Sequence, residues 1–193
     1  EDNYFQSSVI DFDKDRSDRS TYKLLGGSIG FYGSTLNTRQ YAPKGYLEKL
    51  IAQVFTGRER FEPGNPQEGY SPSPQERQSW LQISYMKEAY HTMGPKFTLG
   101  WMAEALYSSK NFSENYTATM MQAGEFAPTP HSKLMYNEAF RANQYVAAGI
   151  KPIYVLNDMF QFRTEFYGFT PIFPIKKNAL NKAYYGKAFS RFE

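Results

Sequence analysis

Apolar and polar positions alternate with a period of two along most of this chain. Between 97 and 107, Phe97, Leu99, Trp101, Ala103, Ala105 and Tyr107 share one side, while Thr98, Gly100 and Glu104 take the other. Further on, Phe160, Phe162, Thr164 and Phe166 oppose Gln161, Arg163, Glu165 and Tyr167. Leu81, Ile83 and Tyr85 oppose Gln82, Ser84 and Glu88, and Val146, Ala148, Ile150 and Tyr154 oppose a side that carries Lys151. This period belongs to amphipathic strands rather than helices. It predicts strands at about 21–35, 45–60, 77–91, 96–108, 143–156 and 158–171. Each is far longer than the ~5–6 residues of a typical globular strand and reaches the ~9–11 of a tilted membrane-spanning one. The polar sides hold Lys49, Glu104, Arg163 and Glu165. A dry sandwich core would not tolerate them, although a solvated outer sheet face would.

The connections differ in size. A tight turn is expected around His91-Thr92-Met93-Gly94-Pro95. Longer polar loops are expected at 9–20 and at 61–78, the latter with Pro63, Gly64, Pro66, Gly69, Pro72 and Pro74. The stretch 109–142, with Pro128 and Pro130, is less regular, with short helical turns expected near 137–142. Short turns at one end and long loops at the other are the habit of outer-membrane barrels.

Composition sharpens this picture at one point. The 193 residues include 16 Tyr, 16 Phe and 2 Trp, yet mean hydropathy is −0.62. A soluble β domain and a barrel with rings gathered at both membrane interfaces each account for that content. The net charge of +3 gives no sign of a nucleic-acid partner. Without cysteine there is no disulfide framework, thiol nucleophile or thiolate metal site. No apolar run approaches the ~18 residues of a membrane helix, and the opening Glu-Asp-Asn-Tyr lacks the features of a signal peptide.

Gly26-Gly27-Ser28-Ile29-Gly30 fits G-x-S-x-G, the nucleophile pattern of serine hydrolases. That pattern needs a strand, a sharp turn at the Ser and then a helix, whereas Phe-Tyr-Gly-Ser-Thr-Leu-Asn-Thr follows here. Ser28 therefore reads as a strand residue, and His91 and His131 as surface histidines without the spacing of a zinc motif. Asn111-Phe112-Ser113 and Asn115-Tyr116-Thr117 match the glycosylation sequon, which in a bacterial chain marks ordinary loop residues. Lys176-Lys177 and Arg58-Glu59-Arg60 are open to two readings, anionic lipid headgroups or plain solvated charge. Arg163 and Glu165 on a polar side fit either a wet, charge-lined interior or a latch to an inserted loop. In the latch, Arg141 would be the loop residue and Glu165 its partner.

Several stretches resemble a known family. "STLNTRQYAPKG" (34–45) resembles the strand-turn-strand signature of BamA-type outer-membrane assembly-factor barrels, with Asn37, Pro43 and Gly45 at the matching positions. "FEPG" (61–64) resembles the loop after the next strand. "FRTEFYGFTP" (162–171) resembles a later strand with an inward Glu, matched by Glu165, Phe166, Thr170 and Pro171. "PTPHSKLMYNEAFRANQYVAAGIKPIY" (128–154) is similar to the C-terminal barrel of patatin-like phospholipase proteins from Bacteroidota. There an acyl-hydrolase domain precedes a small periplasmic module and a BamA-like barrel. The departures are specific. Of the lumenal Val/Ile-Arg-Gly-Phe/Tyr motif only Arg141 remains, no aromatic-ended strand follows Phe192-Glu193, and about eight strands stand against the family's sixteen.

The resemblance implies an all-β fold, residues 1–193 forming part of an antiparallel transmembrane β-barrel. It implies a segment that anchors, and exports or positions, an upstream phospholipase domain in the bacterial outer membrane. The segment itself is not expected to be an enzyme and needs no cofactor or metal. Its partners would be membrane lipid, the remaining barrel strands and the outer-membrane assembly machinery, with no nucleic acid. Phe97, Trp101, Phe160, Phe162 and Phe166 are the expected lipid-facing aromatics. A protein-insertion factor of the same superfamily, a soluble hydrolase using Ser28 and a soluble carbohydrate-binding sandwich are the alternatives.

Overall fold

The computed structural model describes residues 2–4, 16–38, 41–64, 76–157 and 160–189. In chain order its elements are β1 (Asp2–Tyr4), β2 (Asp18–Ser34), β3 (Gly45–Glu62), β4 (Glu76–Thr92), β5 (Phe97–Ser108), α1 (Tyr116–Gln122) and β6 (Gly124–Glu125). They continue with β7 (Arg141–Ala142), β8 (Gln144–Val155), β9 (Gln161–Arg163), β10 (Phe166–Pro171), β11 (Ile175–Lys177) and β12 (Ala183–Tyr185). The fold is all-β and antiparallel. One eight-stranded sheet runs β1-β2-β3-β4-β5-β8-β10, with β9 also paired to β8, and two small ribbons are made by β6 with β7 and β11 with β12. Among the described residues β1 and β10 are not joined, so the described sheet is open.

The period-two pattern found its strands. Five of the six expected segments appear as continuous strands with ends within a few residues of those predicted. The sixth is broken into β9 and β10, and the cause lies on the neighbouring strand. Thr164 N–H donates to the Pro152 carbonyl at 3.1 Å. Proline has no N–H to return the bond, so the ladder lapses there and resumes at Phe166, opposite Ile150. The expected loops at 9–20 and 61–78 lie largely outside the described residues, as do Phe192 and Glu193. Where described, β2 begins at Asp18, β3 runs to Glu62 and β4 begins at Glu76.

The tight turn expected after β4 is present. Met93 N–H bonds the Phe97 carbonyl at 2.9 Å between β4 and β5. Between β2 and β3, Thr35 N–H bonds the Tyr46 carbonyl at 2.8 Å and Asn37 N–H the Lys44 carbonyl at 3.4 Å. Gly45 closes this turn with φ at +98°, and a Cβ there would fall 2.2 Å from the Thr35 carbonyl oxygen. Only glycine fits.

The excursion 109–143 separates β5 from β8, which are sheet neighbours, and packs back on one face of the sheet. Its Phe126 and Ala142 are buried with Met102, Leu106, Tyr145 and Ala147, flanked by Tyr167 and Phe169. Ala118 of α1 buries against Phe61 of β3. A short helical turn at Glu138–Phe140 lies where one was expected. The helix α1 was not expected, because two turns give too little 3.6-residue periodicity to see.

Three glycines on this face each lie directly opposite an aromatic ring: Gly26 faces Phe55, Gly100 faces Tyr90 and Gly149 faces Tyr167. A Cβ on any of them would come within 2.4–2.5 Å of that ring. The ring lies across the glycine, and the strands stay close. Gly27, on the opposite face, has nothing within 4 Å of where its Cβ would be. Gly26→Val is therefore expected to destabilise the fold by about 1–3 kcal/mol through overpacking against Phe55. Gly27→Val should be neutral or mildly stabilising, since valine favours strands. Thermal unfolding of the two variants side by side checks this, and equal losses would remove the steric explanation.

Candidate functional site

Register defines the two faces of the sheet, because partners directly opposite one another project to the same side. Ser28, Gln53, Gln82 and Ser108 face each other in a single row across β2, β3, β4 and β5. This polar face is the one the excursion packs against. The neighbouring row, Ile29, Ala52, Ile83 and Tyr107, belongs to the opposite face. That face also carries Leu25, Phe31, Val54, Leu81, Val146 and Ile150, all exposed. Leu25 and Ile29 are 74% and 77% exposed in mid-strand.

Four of the five expected aromatics, Phe97, Trp101, Phe162 and Phe166, project to the apolar face. Phe97 lies opposite Tyr154, which lies opposite Phe162, and Trp101 lies opposite Ile150, which lies opposite Phe166. With Tyr46 and Tyr85 they gather toward the end of the sheet that holds the β2–β3 and β4–β5 turns. Phe160 differs: it is exposed but sits in the β8–β9 turn, where its N–H bonds the Asn157 side chain at 2.8 Å.

On the polar face Arg141 and Glu165 both have partners, but not each other. Arg141 of β7 reaches the C-terminal end of α1. Its Nη1 donates to the carbonyls of Met120, Met121 and Ala123 at 3.4, 3.0 and 3.3 Å, and its Nη2 pairs with Glu125 at 2.8 Å. Carbonyls left open at a helix end attract a cation, and the adjacent carboxylate offsets its burial. The other end of α1 is held by Asn115, whose side chain accepts from the Ala118 N–H at 2.8 Å. Arg141 is thus a clamp on the inserted helix, and the expected Arg141–Glu165 latch is not formed. Glu165 instead pairs with Arg163 at 3.4 Å and accepts from the Tyr167 hydroxyl at 2.7 Å. Arg163 also donates to the Ala42 carbonyl at 2.7 Å, tying β9 to the turn that holds Pro43 and Gly45.

Other polar links were not foreseen. The Tyr145 hydroxyl lies 2.5 Å from the Glu104 carboxylate and 3.1 Å from the Glu125 carbonyl, joining sheet to excursion. Lys151 reaches Glu88 at 2.8 Å although β5 lies between their strands, and Gly100 of β5, opposite Lys151, leaves the room. Between this wall and residues 127–134 lies a cavity of about 670 Å³, lined by Glu88, Glu104, Glu125, Lys151, Arg163 and Glu165 among others. No group of His, Cys, Asp and Glu among the described residues has the arrangement of a metal site.

Ser28 sits in the middle of β2 opposite Gln53, without the strand-to-helix turn of a nucleophile elbow. His91, the penultimate residue of β4, lies on the apolar face and His131 precedes a short helical turn. Asn115, in one sequon, is fully buried as the α1 cap. Lys176 and Lys177 form the β11 strand of a small ribbon. Comparison of the chain with protein-family models, curated proteins and solved structures finds no match.

Lys110, just past β5, packs its ammonium over the rings of Trp80 and Tyr22 at 4.8 and 5.8 Å and bonds the Gln122 side chain. Burial pulls its pKa down to about 8, with Glu59 and Asp2 opposing. The fold prefers the neutral amine, so stability should rise as pH rises through about 8 toward the ordinary lysine range. The difference in melting temperature between wild type and Lys110→Met, measured from pH 7 to 9.5, should move in favour of wild type. A pH-independent difference would contradict the burial account. For the clamp, Arg141→Met should speed protease cleavage within 112–140 by about 10- to 150-fold, as expected if a buried charged hydrogen-bond set worth ~1.5–3 kcal/mol is lost. Glu165→Gln should leave that cleavage rate unchanged.

Proposed function

We propose that this chain forms part of the wall of a bacterial outer-membrane β-barrel, with its apolar face in lipid and its polar face turned to an interior occupied by the 109–143 excursion. The observation that carries the reading is the bounded apolar band across β3 and β4. Glu48 faces Lys87 at one limit and Arg58 faces Arg77 at the other; between them lie Leu50, Ala52, Val54, Leu81, Ile83 and Tyr85, and next to the basic limit Thr56 and Ser79, whose hydroxyls bond each other at 2.8 Å. The limits lie ten positions apart on each strand, ~33 Å along it at ~3.3 Å per residue. At the ~40° tilt of such barrels that is ~25 Å of height, the thickness of a lipid-facing band. An exposed apolar surface of this extent is unusual in water, whereas hydrocarbon favours one whose few hydroxyls bond each other and whose backbone groups are satisfied by the ladder.

The role we assign is anchorage. The likeness of residues 128–154 to the barrel that ends patatin-like phospholipase proteins supports an acyl-hydrolase domain elsewhere in the same polypeptide, held at the membrane by this wall. In this scheme Arg141, Asn115 and Tyr145 hold the excursion against the inner side, and Lys151, Glu88, Arg163 and Glu165 satisfy one another in place of solvent. No chemistry is assigned to Ser28.

The two tryptophans make a direct test, because Trp101 projects to the apolar face and Trp80 to the polar one. Single-tryptophan variants Trp80→Phe and Trp101→Phe are reconstituted in bilayers with brominated acyl chains. Trp101 lies at the turn-side edge of the band, two residues beyond Ala103 opposite Lys87, so bromine near the headgroup end of the chains should quench it and leave Trp80 little affected. Equal quenching of both, or a protein that stays in solution without detergent, would overturn the membrane reading.

A further inference from the structure

Four carboxylates line the cavity between the wall and residues 127–134, and three of them already hold a cation. Glu88 pairs with Lys151 at 2.8 Å, Glu165 with Arg163 at 3.4 Å and Glu125 with Arg141 at 2.8 Å. The fourth is Glu104 of β5, which is half-buried. The Tyr145 hydroxyl bonds it at 2.5 Å, and among the described residues it makes no ion pair.

Two lysines lie near enough to attract Glu104, and the fold keeps both beyond contact. Lys49 is two strands away, with Met86 of β4 directly between them. Lys151 crosses β5 to reach Glu88 because Gly100 leaves room, whereas here a methionine fills the intervening place. Lys133 lines the cavity from the excursion, but it is exposed and forms no ion pair among the described residues. A carboxylate withdrawn from water costs free energy that a single phenol offsets only in part.

The walls around Glu104 are apolar. Met86 faces it across the ladder, Met102 lies two residues along β5 on the same side, and Leu47, Pro128 and Pro130 line the same space. Methionine is unbranched and adapts to the shape of what it touches. The volume of about 670 Å³ is that of a small-molecule site. The complementary ligand carries one positive charge on an apolar body. A second positive charge would find the other carboxylates engaged, and an anion would meet Glu104 with only the exposed Lys133 to offset it.

We propose that this cavity is a binding site for a small organic monocation, with Glu104 as its counter-ion and Met86 and Met102 against its apolar part. The site goes beyond the anchoring role. It does not depend on the membrane, because wall and excursion enclose it whatever medium lies behind the sheet.

The test uses the full-length protein that carries this chain, purified in detergent or, if it needs none, in buffer. Phenethylammonium, phenethyl alcohol and phenylacetate share a ring and differ in charge. Each is titrated calorimetrically into the protein, with protein-free solution as the blank. The ammonium compound should bind about tenfold or more tightly than the other two, the ratio expected of one charge-assisted hydrogen bond. Glu104→Gln keeps an acceptor for Tyr145. It should lose about tenfold in affinity for the ammonium compound while its affinity for the alcohol stays the same. Lys133→Met removes a like charge and should tighten ammonium binding, an effect that fades with added salt. Equal affinity for the three compounds would overturn the site, and so would a Glu104→Gln variant that binds the ammonium compound as wild type does. Binding seen only in Lys133→Met would mean that Lys133 folds inward as the counter-ion, which also overturns it. Should Glu104→Gln not fold, the three compounds on wild type decide. Failure of the membrane reading looks different: Trp80 and Trp101 are quenched alike, or the protein stays in solution without detergent, and the ranking of the three compounds is unchanged.

Discussion

Strand register is the constraint on which the other features of this molecule depend. A shift of one residue between β3 and β4 would move every side chain of one strand to the wrong face. It would bring Glu48 opposite the wrong neighbour and put Ile83 among the glutamines, and the same slip between β2 and β3 would separate Phe55 from Gly26. Uninterrupted pairing from Arg19 opposite Glu62 to Ser34 opposite Leu47 leaves no such latitude. Glycine–ring contacts reinforce the choice, because each ring fits only where the facing residue has no side chain.

The excursion between β5 and β8 uses that fixed wall as a template. Its apolar residues, Phe126 above all, meet the rings of Tyr145, Tyr167 and Phe169. Several of its polar groups pair with the wall or with one another, Ser113 with Glu59, the Glu125 carbonyl with Tyr145 and Arg141 with the Glu125 carboxylate. Arg141 and Asn115 complete α1 from its two ends, a helix too short to persist alone. Order in this segment is therefore a property of the surface beneath it.

Much of the sheet was legible in the sequence because alternation is a local signal. Phe97 to Tyr107 and Val146 to Tyr154 declare their faces without knowledge of any neighbour. Pairings between distant residues were not legible. Lys151 and Glu88 could each be placed on a polar side, but their meeting needed the strand order β4-β5-β8 and the gap at Gly100. Arg141 was singled out as the loop residue of a latch, and its carboxylate is Glu125, 16 residues away in the same segment. A local acid had the advantage of proximity over Glu165, which the nearer Arg163 and Tyr167 already engaged. The split of the sixth strand was hidden for a related reason, since the proline responsible lies on another strand.

That proline gives the wall a seam. Hydrogen bonds in a continuous ladder resist parting collectively, but opposite Pro152 the chain between β9 and β10 has only the one bond that Thr164 supplies. Fraying that begins at the β8–β9 turn can stop at this point, leaving β10 zipped to β8, and fraying from the far end of β10 can stop there too. Arg163 and Glu165 sit on either side of the gap. The residues that fasten β9 to the β2–β3 turn therefore belong to a unit able to loosen without unfastening the rest of the sheet.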